Sequence, residues 1–200
     1  MQVTLTASAT NVLVGTAATL TATATADVGP TRFDIWIYDV TSGTEIARVV
    51  SGTSVSVTVS EPTVSTHSYV AYISLNLPPS PPAFFPPVIE DASDVVSISW
   101  STLVLSLGGQ AADGTHPLMV HSAVDVTTNP NWYITLFENS NGGTRLGMTG
   151  FGTTLAASVH LPINTVVAYQ AYISGNSPAD PPSGLVYSSN PVVYLNQVPT

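Results

Sequence analysis

Few residues in this chain combine the type and the spacing that chemistry needs. The four histidines, His67, His116, His121 and His160, fall in different stretches, with no close pair at metal-ligand spacing. Serine and threonine are abundant, but a nucleophile needs a base and a group to orient it. Neither a Gly-x-Ser-x-Gly elbow, nor His-Glu-x-x-His, nor a phosphate-cradling glycine loop occurs. Gly108-Gly109 and Gly142-Gly143 read as turns. One acidic cluster, Glu90, Asp91 and Asp94, offers the hard oxygen ligands that calcium takes. Its blander reading is a solvated loop that supplies net charge. The residues therefore point to no enzyme, no cofactor and, beyond that calcium candidate, no metal.

The chemistry that remains is contact chemistry. If Phe33, Ile35 and Ile37 face a core, period-two alternation turns Trp36 and Tyr38 outward, and Tyr133 and Phe137 take the corresponding places in the second half. Outward aromatics on matching strands mark a contact surface for protein, or a platform on which sugar rings stack. The segment 77–87 adds Phe84 and Phe85 within a run of prolines, stiff and apolar. Such a loop either docks onto another chain or domain or folds back over its own sandwich.

Composition narrows the partners. Only 8% of the residues are charged, against roughly 25% in ordinary globular chains. Ser and Thr fill the polar positions, so little charge repulsion opposes self-association. The net charge is −9, with no lysine and only Arg32, Arg48 and Arg145. Neutralising phosphates takes clustered basic residues, which excludes nucleic acid, and anionic membrane surfaces are disfavoured likewise. The charge-free stretch 62–89 is broken by prolines and could not run as a membrane-spanning helix. No basic n-region or apolar h-region follows Met1. The absence of cysteine rules out disulfides and thiolate metal sites.

The elements that must position these residues are strands. Val3-Thr4-Leu5-Thr6, Leu20-Thr21-Ala22-Thr23 and Val55-Ser56-Val57-Thr58-Val59 alternate with period two, in residues that suit a pleated, half-buried surface. An internal repeat organises them. Tyr69-Val70-Ala71-Tyr72-Ile73-Ser74 recurs as Tyr169-Gln170-Ala171-Tyr172-Ile173-Ser174, and residues 33–39 lie over 132–138. The one-residue change of offset is absorbed in a turn, where Gly142-Gly143 stands for Gly43. Each copy then reads as seven strands: 2–8, 18–26, 32–40, 45–50, 54–60, 67–75 and 94–100, then 102–107, 119–126, 132–139, 145–148, 154–161, 166–175 and 192–196. The expectation is two sandwich domains, 1–100 and 101–200. Their short link suggests a fairly fixed, end-to-end arrangement.

Tyr69-x-Ala71 and Tyr169-x-Ala171 sit where immunoglobulin-like folds place a tyrosine two residues before a small or Cys position on the sixth strand. With Val3-Thr4-Leu5-Thr6-Ala7-Ser8, Val14-Gly15, Val28-Gly29-Pro30 and Thr41-x-Gly43, the chain resembles the tandem immunoglobulin-like repeats of bacterial extracellular and cell-surface proteins. The resemblance implies an all-β fold of two immunoglobulin-like or fibronectin-like β-sandwiches. It also implies that each tyrosine hydroxyl bonds back to nearby backbone, and a spacer, adhesive or assembly role without catalytic residues. The second copy departs at 108–117, where its sheet edge is expected to be remodelled. The reading is a non-catalytic structural or assembly module, outside the cell or at its surface. It would contact copies of itself or another surface or appendage protein. A glycan-binding or adhesin module is the alternative, and a virion decoration or tail component a more remote one.

Overall fold

Alternation of apolar residues with Thr or Ser becomes, in each half of the chain, a sheet buried on one face. The computed structural model describes residues 1–75, 88–138, 143–161, 166–175, 185–189 and 192–195. The chain divides into two units, Met1–Trp100 and Ser101–Thr200. In the first, β1 (Val3–Ala7), β3 (Ala18–Ala24) and β6 (Ser54–Val59) form an antiparallel sheet in the order β1-β3-β6. Ala18, Leu20, Ala22 and Ala24 are buried, while Thr19 and Thr23 face solvent. On that outer face the hydroxyls of Thr21 and Ser56 meet at 2.8 Å. Such cross-strand hydroxyl pairs contribute roughly 0.2–1 kcal/mol each and stand where a more charged chain would place ion pairs.

The second sheet of this unit runs β2 (Asn11–Leu13), β9 (Val96–Ser101), β7 (Ser65–Leu75), β4 (Phe33–Asp39), β5 (Thr44–Val49), with β8 (Ile89–Ala92) also paired to β7. Leu20, Ile35, Ile37, Tyr69, Ala71, Ile73, Ile98 and Trp100 fill the space between the two sheets. Trp100 donates its indole N–H to the carbonyl of Thr16 at 2.9 Å, which satisfies the one polar atom of a fully buried ring.

The second unit repeats this order. β10 (Leu103–Leu107), β11 (His116–Ser122) and β14 (Thr154–Val159) form the smaller sheet. β13 (Thr144–Thr149), β12 (Trp132–Glu138), β15 (Val166–Gly175) and β16 (Leu185–Ser188) form the larger, and β17 (Val192–Leu195) also pairs with β15. A short 3₁₀ helix, Val126–Thr128, leads into β12 and is capped by Asp125. Strands one, two and five on one sheet, with three, four, six and seven on the other, make each unit an immunoglobulin-like sandwich.

The duplication extends to irregularities. The β4–β5 ladder shifts register between Ile37 and Tyr38, and β12–β13 shifts between Leu136 and Phe137. The seventh strand is broken in both units, at Ser93 and at Ser189. Each serine N–H donates to a carbonyl, Ala71 or Ala171, at 2.9 Å. Each hydroxyl oxygen accepts the N–H of that same alanine at 3.0 Å. One serine thus satisfies both polar groups of a buried residue where the ladder is interrupted.

One sequence expectation changes, and the remodelled edge expected in the second copy takes a definite form. The final strands, read as 94–100 and 192–196, are each preceded by a further segment, β8 and β16, on the same neighbour. Register now places Asp91 opposite Ile73 and Tyr187 opposite Ile173, so Tyr187 is the counterpart of Asp91. At 108–117 the edge is remodelled: among the described residues β2 has no counterpart, and the chain turns back through Gly108 N–H to Pro117 O (2.8 Å) and Ala111 N–H to Thr115 O (2.7 Å). Among the described residues no helix is long and apolar enough to cross a membrane.

Candidate functional site

Central strands decide where the aromatic candidates go. β4 lies between β5 and β7, and Asp34, Ile35, Trp36, Ile37, Tyr38 and Asp39 are all buried, so alternation here separates two buried faces. Trp36 and Tyr38 do point away from the main core. They pack there with Val70 and Tyr72 into a second cluster at 5% and 4% exposure. Tyr38 meets Tyr72 edge to face at 6.5 Å and donates its hydroxyl proton to Gly43 O at 2.7 Å. The Arg48 guanidinium lies 4.7 Å over the Trp36 ring and 3.7 Å from both Asp34 and Glu45. Burial pushes the Asp34 carboxyl up, and Arg48 only partly offsets it.

The exposed aromatic patch expected from sequence is therefore corrected at three positions. Trp36, Tyr38 and Phe137 are buried, Phe137 at 1% against Tyr172. Tyr133 alone keeps part of its surface open. Phe84 and Phe85, with the rest of 76–87, lie outside the described residues, as does 176–184.

The hydroxyl bond expected of Tyr69 and Tyr169 is also absent among the described residues, although both rings are buried in their cores. Tyr69 instead stacks on His67 at 6.2 Å. Its phenol is pushed up to about 12 by burial first, and then by the charges of Asp39 and Glu61.

His67 is where an acid and a base meet. Its Nδ1 is 2.7 Å from Asp39 and its Nε2 3.7 Å from Glu61, with Trp100 edge-on at 5.9 Å. Asp39 also accepts the N–H groups of Thr41 and Ser42. Burial alone would raise the Asp39 carboxyl. The hydrogen bonds from His67 and Ser42, with the charge of His67, outweigh burial and hold it below its usual range. A catalytic triad would turn Nε2 to a hydroxyl, whereas here it faces a second carboxylate. In the second unit, the repeat places Leu161 and Val167 at the positions of Glu61 and His67, both buried and apolar. The other copy thus replaces His67 and Glu61 with hydrocarbon while keeping a carboxylate, Glu138, in the place of Asp39.

Two members of the acidic cluster are engaged by the start of the chain. The Asp91 carboxylate accepts the Val3 N–H at 2.6 Å, tying β8 to β1, and Glu90 lies 4.0 Å from the Met1 amino group. Asp91 and Asp94 line a pocket of about 380 Å³ with Gln2–Leu5. Among the described residues no three His, Asp or Glu side chains gather to hold a metal ion. Of the other histidines, His116 faces the Gly108 carbonyl at 3.1 Å, and His121 and His160 are exposed.

A site that sequence reasoning missed lies in the second unit. A pocket of about 590 Å³ opens between the loop before β12 and the β13–β14 turn, beside Tyr133. Phe151 stands at its rim with 77% of its surface exposed. The two walls are stapled: Gly152 N–H donates to Thr127 Oγ1 at 2.7 Å, and Val126 N–H to Gly152 O at 3.1 Å. Asn131 takes a left-handed conformation, φ 73°, on the way into β12. Its signals in sequence were faint: one extra residue before β12, and Gly150-Phe151 where the first copy has Val50-Ser51.

No family model matches the chain, and no curated protein does. Among solved structures, the chain is similar to "Biofilm associated protein - BSP domain", at 12% identity and TM-score 0.36, covering 97% of this chain and 30% of that one. It is also similar to "D0-D1 domain of Intimin", at 14% identity and TM-score 0.38, covering 96% and 97%. The chain thus spans under a third of the first of these. On its own strand order, the chain is a tandem pair of immunoglobulin-like β-sandwiches.

Proposed function

We propose that this chain is a non-catalytic structural module, a segment of a surface protein or a self-associating appendage subunit that works through protein–protein contacts. The supporting observation is what the two units hold in common. Strand order, ladder bulges and the serine bridges of Ser93 and Ser189 repeat, whereas the polar sites differ from copy to copy. A duplicated scaffold is what a spacer or repeating subunit requires. The scarcity of charge adds support, since little repulsion keeps copies apart. An extracellular or cell-surface place suits this role, with a virion as the alternative setting. The sugar-stacking patch drawn on Trp36, Tyr38, Tyr133 and Phe137 loses three of its members to burial. Light scattering after size exclusion at rising concentration, followed by negative-stain imaging, tests the proposal. Concentration-dependent assembly is expected of a self-associating subunit, and a strict monomer at every concentration would overturn self-association.

A further inference from the structure

We propose that the pocket beside Tyr133 binds a neutral carbohydrate, a site independent of the structural role above. Its volume, about 590 Å³, lies within the roughly 300–1,000 Å³ range of small-ligand sites. None of its lining residues carries a charge, so a ligand must be recognised by ring faces and uncharged hydrogen-bonding groups. Tyr133 and Phe151 supply the faces, and Asn129 and Asn131 supply amides. Amides both donate and accept, as vicinal sugar hydroxyls demand. An oligoproline segment offers backbone carbonyl acceptors alone and would leave half of that capacity unused.

The first unit provides an internal comparison. By ladder register, Tyr133 corresponds to Asp34 and Met148 to Arg48, the pair that stands 3.7 Å apart in unit 1. Val50 and Ser51 become Gly150 and Phe151. Each change works in the same direction. Loss of the ion pair removes charge, and loss of the residue 50 side chain makes room for the Tyr133 ring. A Cβ on Gly150 would sit 3.1 Å from that ring. The exchange of Ser for Phe places an aromatic where water would otherwise be undisturbed. With 77% of its surface exposed at the pocket rim, the Phe151 ring withdraws apolar surface from water when a ligand covers it, which favours binding. A turn in which Thr149 Oγ1 accepts the Phe151 N–H at 3.2 Å holds its backbone, and the stapled walls mean little ordering is left for binding.

The test uses the full chain against neutral oligosaccharides (gluco-, manno-, galacto- and N-acetylglucosamine series), sialylated and uronic-acid glycans, and oligoproline, followed by saturation-transfer NMR and calorimetry. Binding of at least one neutral series is expected. Phe151→Ser should lower that affinity about tenfold, the scale of one lost aromatic contact. It should leave the urea midpoint unchanged, because the ring is exposed. Gly150→Ala should weaken binding by displacing Tyr133. Absence of binding to every neutral series at millimolar concentration would overturn the proposal. So would preference for oligoproline or an acidic glycan, or undiminished affinity in the folded Phe151→Ser variant.

Discussion

Replacing Ser189 with alanine removes a single oxygen and isolates the logic of the broken seventh strand. That oxygen accepts the N–H of Ala171, a residue with no exposed surface, while the serine backbone N–H still bonds to Ala171 O. The substitution therefore leaves one buried donor without an acceptor and disturbs nothing else in the ladder. An orphaned buried amide costs about 1–3 kcal/mol. Ser189 is itself only 3% exposed, so water cannot take over, and about 2 kcal/mol is expected. Ser93→Ala is the comparison, although it also removes the bond its hydroxyl donates to Asp94 O at 2.8 Å, at an exposed position where water can replace it. Ser93 is only partly buried, water can approach Ala71 N–H, and about 1 kcal/mol is expected. Urea unfolding of both variants measures the cost. Amide exchange by NMR locates it, since 2 kcal/mol corresponds to roughly thirtyfold faster exchange at Ala171. The reasoning is refuted if Ser189→Ala falls within about 0.3 kcal/mol of the parent with Ala171 exchange unchanged, or if Ser93→Ala costs more.

Trp36→Ala empties the centre of the outer-face cluster and should cost about 3–5 kcal/mol, visible as a lowered urea midpoint; under 1 kcal/mol would mean that Trp36 behaves as a surface residue. Asp39→Asn should destabilise the protein at neutral pH and much less in acid. A carboxyl held below its unfolded value contributes stability that is present above that value, about 3.9, and is lost as pH falls through the folded one. Stability curves of parent and variant should therefore converge below pH 4, and curves parallel from pH 7 to 3 would count against the Asp39–His67 contact.

Much of the fold was legible because its signals are local. The recurrence of Tyr-x-Ala-Tyr-Ile-Ser, the alternation in β3 and β6, and the glycine turns each depend on residues a few positions apart. Placement of the larger sheet's residues on one face or the other was legible too. Their exposure was not, because period two reports a side and leaves open what lies on that side. Trp36 and Tyr38 face away from the core, as alternation demands, yet packing with Val70 and Tyr72 buries them.

By itself the sequence determined that this protein is a duplicated, charge-poor pair of sandwiches with matched cores. Backbone periodicity and repetition are properties of one dimension, and they survive without knowledge of contacts. The tertiary structure alone decided which side chains come together outside the cores. It brought His67 to Asp39 and Glu61, Asp91 to the Val3 amide, and Tyr133 beside Phe151. The pairs Asp91–Val3 and Tyr133–Phe151 join loops and strand ends well separated in sequence, where no periodicity applies.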